Sequence, residues 1–317
     1  MKDIVKFFDY NLRYNKFSEH LKNLFGEKVW KISVDAGFKC PPQAKCIYCY
    51  NPSFVPETAR RKVPLKEQIL KGMEIIRNRR KVNKFIVYFQ AFTNTYGDIE
   101  FMRKVYYEAL NTHPDIVGIS IGTRSDTVGD EVLELFYELN KKTYLWVELG
   151  LQSANDKTME ITKRGHNVKN FEEAVFKLKE KNIRVMAHVI IGLPGDTYDD
   201  WMNTAFFLNK LKIDGVKIHP LHIVKYTELE KWYREGKYKP LEMEEYINAA
   251  CDFIERLEEN ILIARLTGEA PFNLLVAPDW CKNKMIVLNK IERELEKRES
   301  FQGKYLEDLK TFTLKNP

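Results

Sequence analysis

The chain is 317 residues long, with 44% hydrophobic and 30% charged residues and a net charge of +6. That length allows one large domain or two modest ones, and the composition is that of a folded globular protein, not a disordered one. No stretch approaches the roughly 18 uncharged apolar residues of a membrane span, and the charged start MKDIVKFFDYNLRYNKF is not a signal peptide; the chain is expected in the cytosol, with no membrane partner.

In chain order, residues 1–28 read as a helical N-terminal extension. From there, short β-branched and aromatic runs alternate with amphipathic stretches. Strands are predicted at 29–34, 85–89, 116–121, 144–151, 185–191 and 215–218, and helices between them at 65–79, 99–110, 131–141, 171–181 and 199–212. Pro64 stands just before the first of these helices, where proline suits a helix start. Six strand–helix units in a row imply a parallel α/β sheet with right-handed crossovers. They are too few for an eight-unit barrel, so a partial (βα)6 TIM-like barrel is expected over residues 29–220. Residues 221–317 read as a C-terminal α/β extension packing on the barrel. It holds a helix at 242–259, a strand pair at 261–266 and 272–276, and a charged helix at 284–299.

Three of the five cysteines crowd into GFKCPPQAKCIYCY, residues 37–50, directly after the first strand. That is a strand-to-helix loop at the C-terminal mouth of the sheet, where such folds place chemistry. Three thiolates can ligate three irons of a cubane and leave the fourth iron open to an outside chelator. The rival is structural zinc, which wants four protein ligands. No fourth Cys or His follows within thirty residues, so His166 or Cys281 would have to join from a distance. Cys251 lies on an amphipathic helix and reads as core. Basic residues clump at Arg60, Arg61 and Lys62, and again at Arg77, Arg79, Arg80 and Lys81. They form either a solvated face or a patch for a polyanion.

At these residues the sequence resembles the radical S-adenosylmethionine (SAM) superfamily, and within it the YhcC/YtqA-like family, related to the Elongator catalytic subunit and to oxygen-independent coproporphyrinogen oxidase. The segments carrying the resemblance are GFKCPPQAKCIYC, YFQAFTNT, IGTRSD, VELGLQS, KRGH, HVIIGLPGDT, KIHPLHIVK and LLVAPDWC. It implies a partial barrel of the radical SAM type. It also implies a 4Fe–4S cluster on Cys40, Cys46 and Cys49, SAM on the open iron, and a reducing donor of the flavodoxin or ferredoxin type. The first cysteine spacing departs from the usual C-x3-C-x2-C, being C-x5-C-x2-C.

For the SAM pocket the resemblance implies Tyr48 near the adenine, Arg164 on the carboxylate, and Gln152 on the amino-acid portion or ribose. It implies His188 at the ribose hydroxyls and the Gly192-Leu-Pro194-Gly195 turn at the adenine. Asp196 and Thr197 then cap the next helix. Gln90 and Thr93 stand in the segment that replaces the usual Gly-Gly-Glu. Glu148, earlier on the Gln152 strand, needs a partner if buried, with Lys217 or Arg124 as candidates. His219, His222, Arg124 and Cys281 are candidate catalytic groups. Each has a plain alternative: loop histidines, an Arg124–Asp126 ion pair, a core thiol. Three functions stay open: radical modification of a tRNA wobble-uridine side chain, a radical oxidoreductase acting on a small molecule or peptide, and a zinc-stabilised RNA-binding module.

Overall fold

The computed structural model describes residues 12–59, 63–268 and 270–306; the predicted basic run Arg60, Arg61 and Lys62 lies outside them. Among the described residues, helix α1 (Phe17–Phe25) is followed by β1 (Val29–Val34), α2 (Leu65–Arg80), β2 (Lys84–Phe89) and α3 (Ile99–Asn111). Then come β3 (Ile116–Thr123), α4 (Asp130–Lys142), β4 (Tyr144–Gln152), α5 (Asp156–Ile161), α6 (Val168–Glu180) and β5 (Arg184–Ile191). The chain continues through α7 (Tyr198–Lys210), β6 (Gly215–Pro220), β7 (Ile223–Val224), α8 (Glu228–Arg234) and α9 (Met243–Glu255). It ends with β8 (Leu262–Arg265), β9 (Leu275–Ala277) and α10 (Lys284–Lys297).

The main sheet is parallel throughout, in the order β1-β2-β3-β4-β5-β6-β8. It is the curled half-barrel that six strand–helix units foretold, with one strand more. The extra strand is a correction. The predicted strand pair at 261–266 and 272–276 does not pair with itself: β8 joins the main sheet beside β6, and β9 pairs antiparallel with β7. Residues 29–220 and 221–317 therefore share one sheet. Leu262 and Ile263 on β8 are apolar enough to be buried as an inner strand, and nothing local announces which edge they meet.

Local chemistry sets the element ends. Gly26, with φ 77°, stops α1 in the left-handed conformation that glycine tolerates. Pro64 precedes α2 as expected. The Asp98 side chain accepts the Phe101 amide to start α3, and Asn167 and Thr197 form capping boxes on α6 and α7. Thr197 is thus the cap; Asp196 instead accepts a hydrogen bond from Ser153 Oγ at 2.9 Å.

Strand alternation divides the interior. On β4, Leu145, Val147, Leu149 and Leu151 join the large core between sheet and helices. Trp146 points the other way, into a second cluster with Phe17, Leu21, Val29, Ile86, Met186 and Leu262. Helix α1 thereby plugs the N-terminal end of the half-barrel, and the Phe17 ring meets Trp146 edge-on at 5.2 Å. Chemistry is confined to the opposite end. Phe17→Ala leaves a cavity in this plug and is expected to lower unfolding stability by about 3 kcal/mol or more in urea titration.

Candidate active site

The thiol loop leaves the C-terminal end of β1 and is clamped on two sides. The Ile47 amide donates to Thr162 O at 3.1 Å, while Ile47 O accepts from the Leu229 amide at 2.9 Å. The Ile47 side chain is buried among Leu193, Leu221, Ile223 and Leu229. Gly165, with φ 77°, lets the chain pass under this loop, since a Cβ there would lie 2.9 Å from the carbonyl carbon of Gln43.

Cys40, Cys46 and Cys49 are half-buried and tied together by polar contacts. Asn51 Nδ2 donates to Cys40 Sγ at 3.6 Å and Asn51 Oδ1 accepts from Cys49 Sγ at 3.5 Å. Thr93 Oγ1 donates to Cys40 Sγ at 3.4 Å, and Arg164 Nη1 to Cys46 Sγ at 3.5 Å. Burial, then the neighbouring Cys46 and Cys40, push the Cys49 thiol up to about 12. Bound iron would reverse that by taking the thiolate outright. Among the described residues no three His, Cys, Asp or Glu side chains gather closely enough for one metal ion. His166 turns to Ser125 and Asn167, and Cys281 is buried elsewhere. The thiols suit a cubane, which spreads its ligands over separate irons.

A cavity of about 560 Å3 opens beside them, lined in part by Tyr48, Gln90, Thr93, Gly150, Gln152 and Arg164. Arg164 Nη2 donates to Gly150 O at 3.0 Å, whereas its Nε is buried without a partner, as is the Tyr48 hydroxyl. Such groups fit a polar ligand that supplies the missing acceptors and donors. A Cβ on Gly150 would lie 2.7 Å from Gln152 Nε2 and collide with Arg164, so only glycine lets both side chains converge. Gln152 ends β4 with φ 73°, and Ala91 and Phe92 follow β2 at φ 65° and 59°. Ala91 and Phe92 stand in the segment that replaces the usual Gly-Gly-Glu. Asn94 holds the turn, its side-chain amide donating to the carbonyls of Phe89, Ala91 and Gly122.

The floor is built around Glu148, whose side chain is fully buried. It accepts from Lys31 Nζ at 2.5 Å, His188 Nε2 at 2.6 Å, Ser120 Oγ at 2.5 Å, and Lys217 Nζ. Burial alone would raise this carboxyl, but Lys217, Lys31 and His188 hold it well below the usual range. Burial pushes the Lys217 ammonium down to about 7 against the pull of Glu148, with Lys31 and Arg265 adding to the fall. Burial and Lys217 bring His188 down to about 4. The Tyr88 ring lies between Lys31 and Lys217, at 5.2 and 4.2 Å.

Other predicted residues fall differently. Of the two candidate partners for Glu148, Lys217 is one and Arg124 is not. Arg124 binds Asp126 through Nε at 2.8 Å and Nη2 at 2.9 Å, and Arg164 O through Nη1 at 2.7 Å. It lines the cavity as an internal ion pair with its donors engaged. His219 and His222 line the same cavity; Cys281 does not. Cys281 is a core thiol beside Tyr246, raised to about 12 by burial, because a small apolar group fills that packing gap. Gly192, Pro194 and Gly195 are also outside the cavity wall. Gly192 O accepts from Tyr238 Oη, and a Cβ at Gly195 would lie 2.7 Å from Ile161 Cδ1, so Gly192 is buried against its neighbours while Pro194 is half-buried and Gly195 exposed. The basic run at the end of α2 lies at the opposite end of the sheet, where Arg77 pairs with Asp115 and Arg80 covers Trp30 near the start of β1. Sequence reasoning missed Lys31, Tyr88, Asn51, Asn94 and Arg265. For Lys31 the available signal was a lone cation inside an apolar strand.

Residues 40–208 match the radical SAM superfamily, and residues 213–297 match the Radical_SAM C-terminal domain. YtqA of Bacillus subtilis (strain 168) is 38% identical over 303 residues, covering 94% of each chain. YhcC of Escherichia coli (strain K12) is 32% identical over 288 residues, 89% of this chain and 92% of its own. The tRNA uridine(34) acetyltransferase of Methanocaldococcus jannaschii is 30% identical over 163 residues, 50% of this chain and 30% of that protein. Among solved structures, archaeal Methanocaldococcus infernus Elp3 superposes with a TM-score of 0.69 at 19% identity, covering 86% of this chain and 64% of that one.

Glu148→Gln strips the counter-charge from Lys31 and Lys217 and is expected to cost about 3–5 kcal/mol of unfolding free energy, whereas a Glu148→Leu/Lys217→Leu pair loses less. Burial depresses His188, His219 and His222, the first and last to about 4. The unfolded chain takes up these protons near pH 6.5 and the folded one refuses them. The stability these histidines contribute is therefore full above pH 6.5 and is lost as pH drops towards 4. His222→Asn flattens that fall by up to one proton in pH-dependent thermal unfolding.

Proposed function

The chain belongs to the radical SAM superfamily and, within it, to the family of YtqA and YhcC; from that premise we propose that it modifies a side chain on a tRNA wobble uridine. As a superfamily enzyme it uses a 4Fe–4S cluster and SAM. The observation that carries the reading is the thiol trio opening onto a cavity with unpartnered donors at Arg164 Nε and Tyr48 Oη.

When bound, the cluster and SAM would supply hydrogen-atom abstraction at a substrate carbon, taking one electron from the external donor and releasing methionine as SAM is cleaved. Cys40, Cys46 and Cys49 hold the cluster. Arg164 orients the SAM carboxylate, for which a guanidinium fork is suited. Gln152, Gln90 and Thr93 position the rest of the cofactor from strand ends. Glu148, ionised and enclosed, keeps the floor polar without admitting bulk water. Electrons come from a donor of the flavodoxin or ferredoxin type.

Two observations support RNA as substrate. The similarity to a tRNA uridine(34) acetyltransferase reaches 30% over half of this chain. The cavity mouth also carries exposed aromatic faces: Tyr226 is 73% exposed, its ring 5.2 Å from Tyr50, and Phe54 and Lys45 line the same opening. Aromatic platforms beside cations suit an unstacked base.

Cys46→Ala is expected to abolish the absorbance near 400 nm and 5′-deoxyadenosine release in the reconstituted, reduced protein. Arg164→Lys weakens SAM binding about tenfold to a hundredfold. Modified nucleosides in tRNA from a deletion strain are expected to lack one uridine derivative present in the parent. An unchanged profile overturns the RNA reading and turns attention to a small-molecule or peptide substrate.

A further inference from the structure

Arg265 is the last residue of β8, in register with Lys217 of β6. It lines the cavity at the far edge of the sheet from β1, which feeds the thiol loop. His219 and His222 follow from β6 onto the same wall. The His219 ring lies 5.9 Å from that of His188. The backbone at Gly268 presses on both histidines: a Cβ there would lie 2.6 Å from His222 Cε1 and 3.1 Å from His219 Nδ1. His222 Nε2 is buried with no hydrogen-bond partner.

Among the described residues, the cations around this corner outnumber the carboxylates left to pair with them. Two carboxylates line the cavity, Glu148 and Glu228. Glu148 is taken by Lys31 and Lys217, and Glu228 by Lys163 at 2.7 Å. Among the cations on the wall, Arg124 has Asp126 and Arg164 faces the thiols. Arg265 has no carboxylate within ion-pairing distance among the described residues, although its field reaches His188, Lys217 and His219. Arg265 is exposed at this edge, and its guanidinium stands with two histidine edges, one of them carrying the buried unpartnered His222 Nε2, as a donor set open to an entering acceptor.

We propose that Arg265, His219 and His222 form a subsite for an anionic oxygen group, a phosphate or a carboxylate, on the substrate. The anion anchors one end of the substrate at the β6–β8 edge and leaves the remainder to extend toward the thiol loop. Arg265 grips it in fork geometry, and the neutral histidines donate N–H bonds without adding charge. The inference rests on the radical SAM reading only in assigning the anion to substrate; the subsite stands on its own geometry.

The test titrates reconstituted enzyme, saturated with SAM, by calorimetry with inorganic phosphate and separately with succinate at constant ionic strength. Saturable binding of at least one is expected, weaker by about tenfold or more in Arg265→Gln and partly restored in Arg265→Lys. Phosphate alone points to a nucleotide-like group and succinate alone to a carboxylate; either supports the subsite. Binding of neither anion overturns it, as does equal affinity in Arg265→Gln. It also falls if the anions bind only when SAM is left out, because SAM would then own the site. The same wild-type preparation is assayed for 5′-deoxyadenosine. Anion binding without that product sinks the radical reading and spares the subsite, and product without anion binding does the reverse.

Discussion

One buried carboxylate organises this half-barrel. Glu148 on β4 gathers Lys31 from β1, Ser120 from β3, His188 from β5 and Lys217 from β6, so five strands meet at two oxygen atoms. A parallel sheet buried on both faces has no water for stray polar groups, and a charge there persists only when fully paired. Burial drives down Lys217 and His188, and the excess positive charge of two lysines against one carboxylate adds to the fall. Below the network lies the apolar plug of Phe17, Leu21 and Trp146. Above it lies the cavity with the thiols. The carboxylate thus marks the boundary between scaffold and chemistry.

The rim of that cavity holds several of the strained backbones in the molecule. Ala91, Phe92, Gln152 and Tyr226 all take left-handed conformations without being glycine, at a cost of order 1–3 kcal/mol each. Such conformations persist where surroundings over-determine them. At β2 the support is visible: one Asn94 amide reaches three carbonyls. At β4 the strain ends a strand whose Gly150 was already cleared to admit Arg164. Strain and close approach together carry Gln152, Arg164 and Thr93 to the thiols while the strands behind them stay regular.

Charge distribution separates two faces. At the closed end of the sheet, Arg77 of the basic α2 terminus pairs with Asp115 and Arg80 covers the Trp30 ring, while Arg79 and Lys81 are exposed. At the mouth, Arg164 serves the thiols from a buried position and the exposed Arg265 stands at the opposite edge.

Much of this was legible in the chain. Hydrophobic period and spacing placed the six predicted strands and their helices to within a few residues, because strands buried on both faces are written as continuous apolar runs. C-x5-C-x2-C announced three thiols on one loop, since ligands that close a short loop sit close in sequence. The charged strand residues Lys31, Glu148 and Lys217 were visible as exceptions to apolar patterning, yet only the register of five strands decided that they meet. The same holds for β8, which is too short and too ordinary to declare its edge, and so for Arg265 at its end. Cys281 looked like a site residue and is buried in the core, and the Gly192–Gly195 turn lies off the cavity wall, because distance from a cavity is a property of the fold. Sequence alone determined the elements and the three-thiol loop, where the physics is local; tertiary structure decided the pairings among distant charges, where the partners lie 28 to 117 residues apart and only packing brings them within reach.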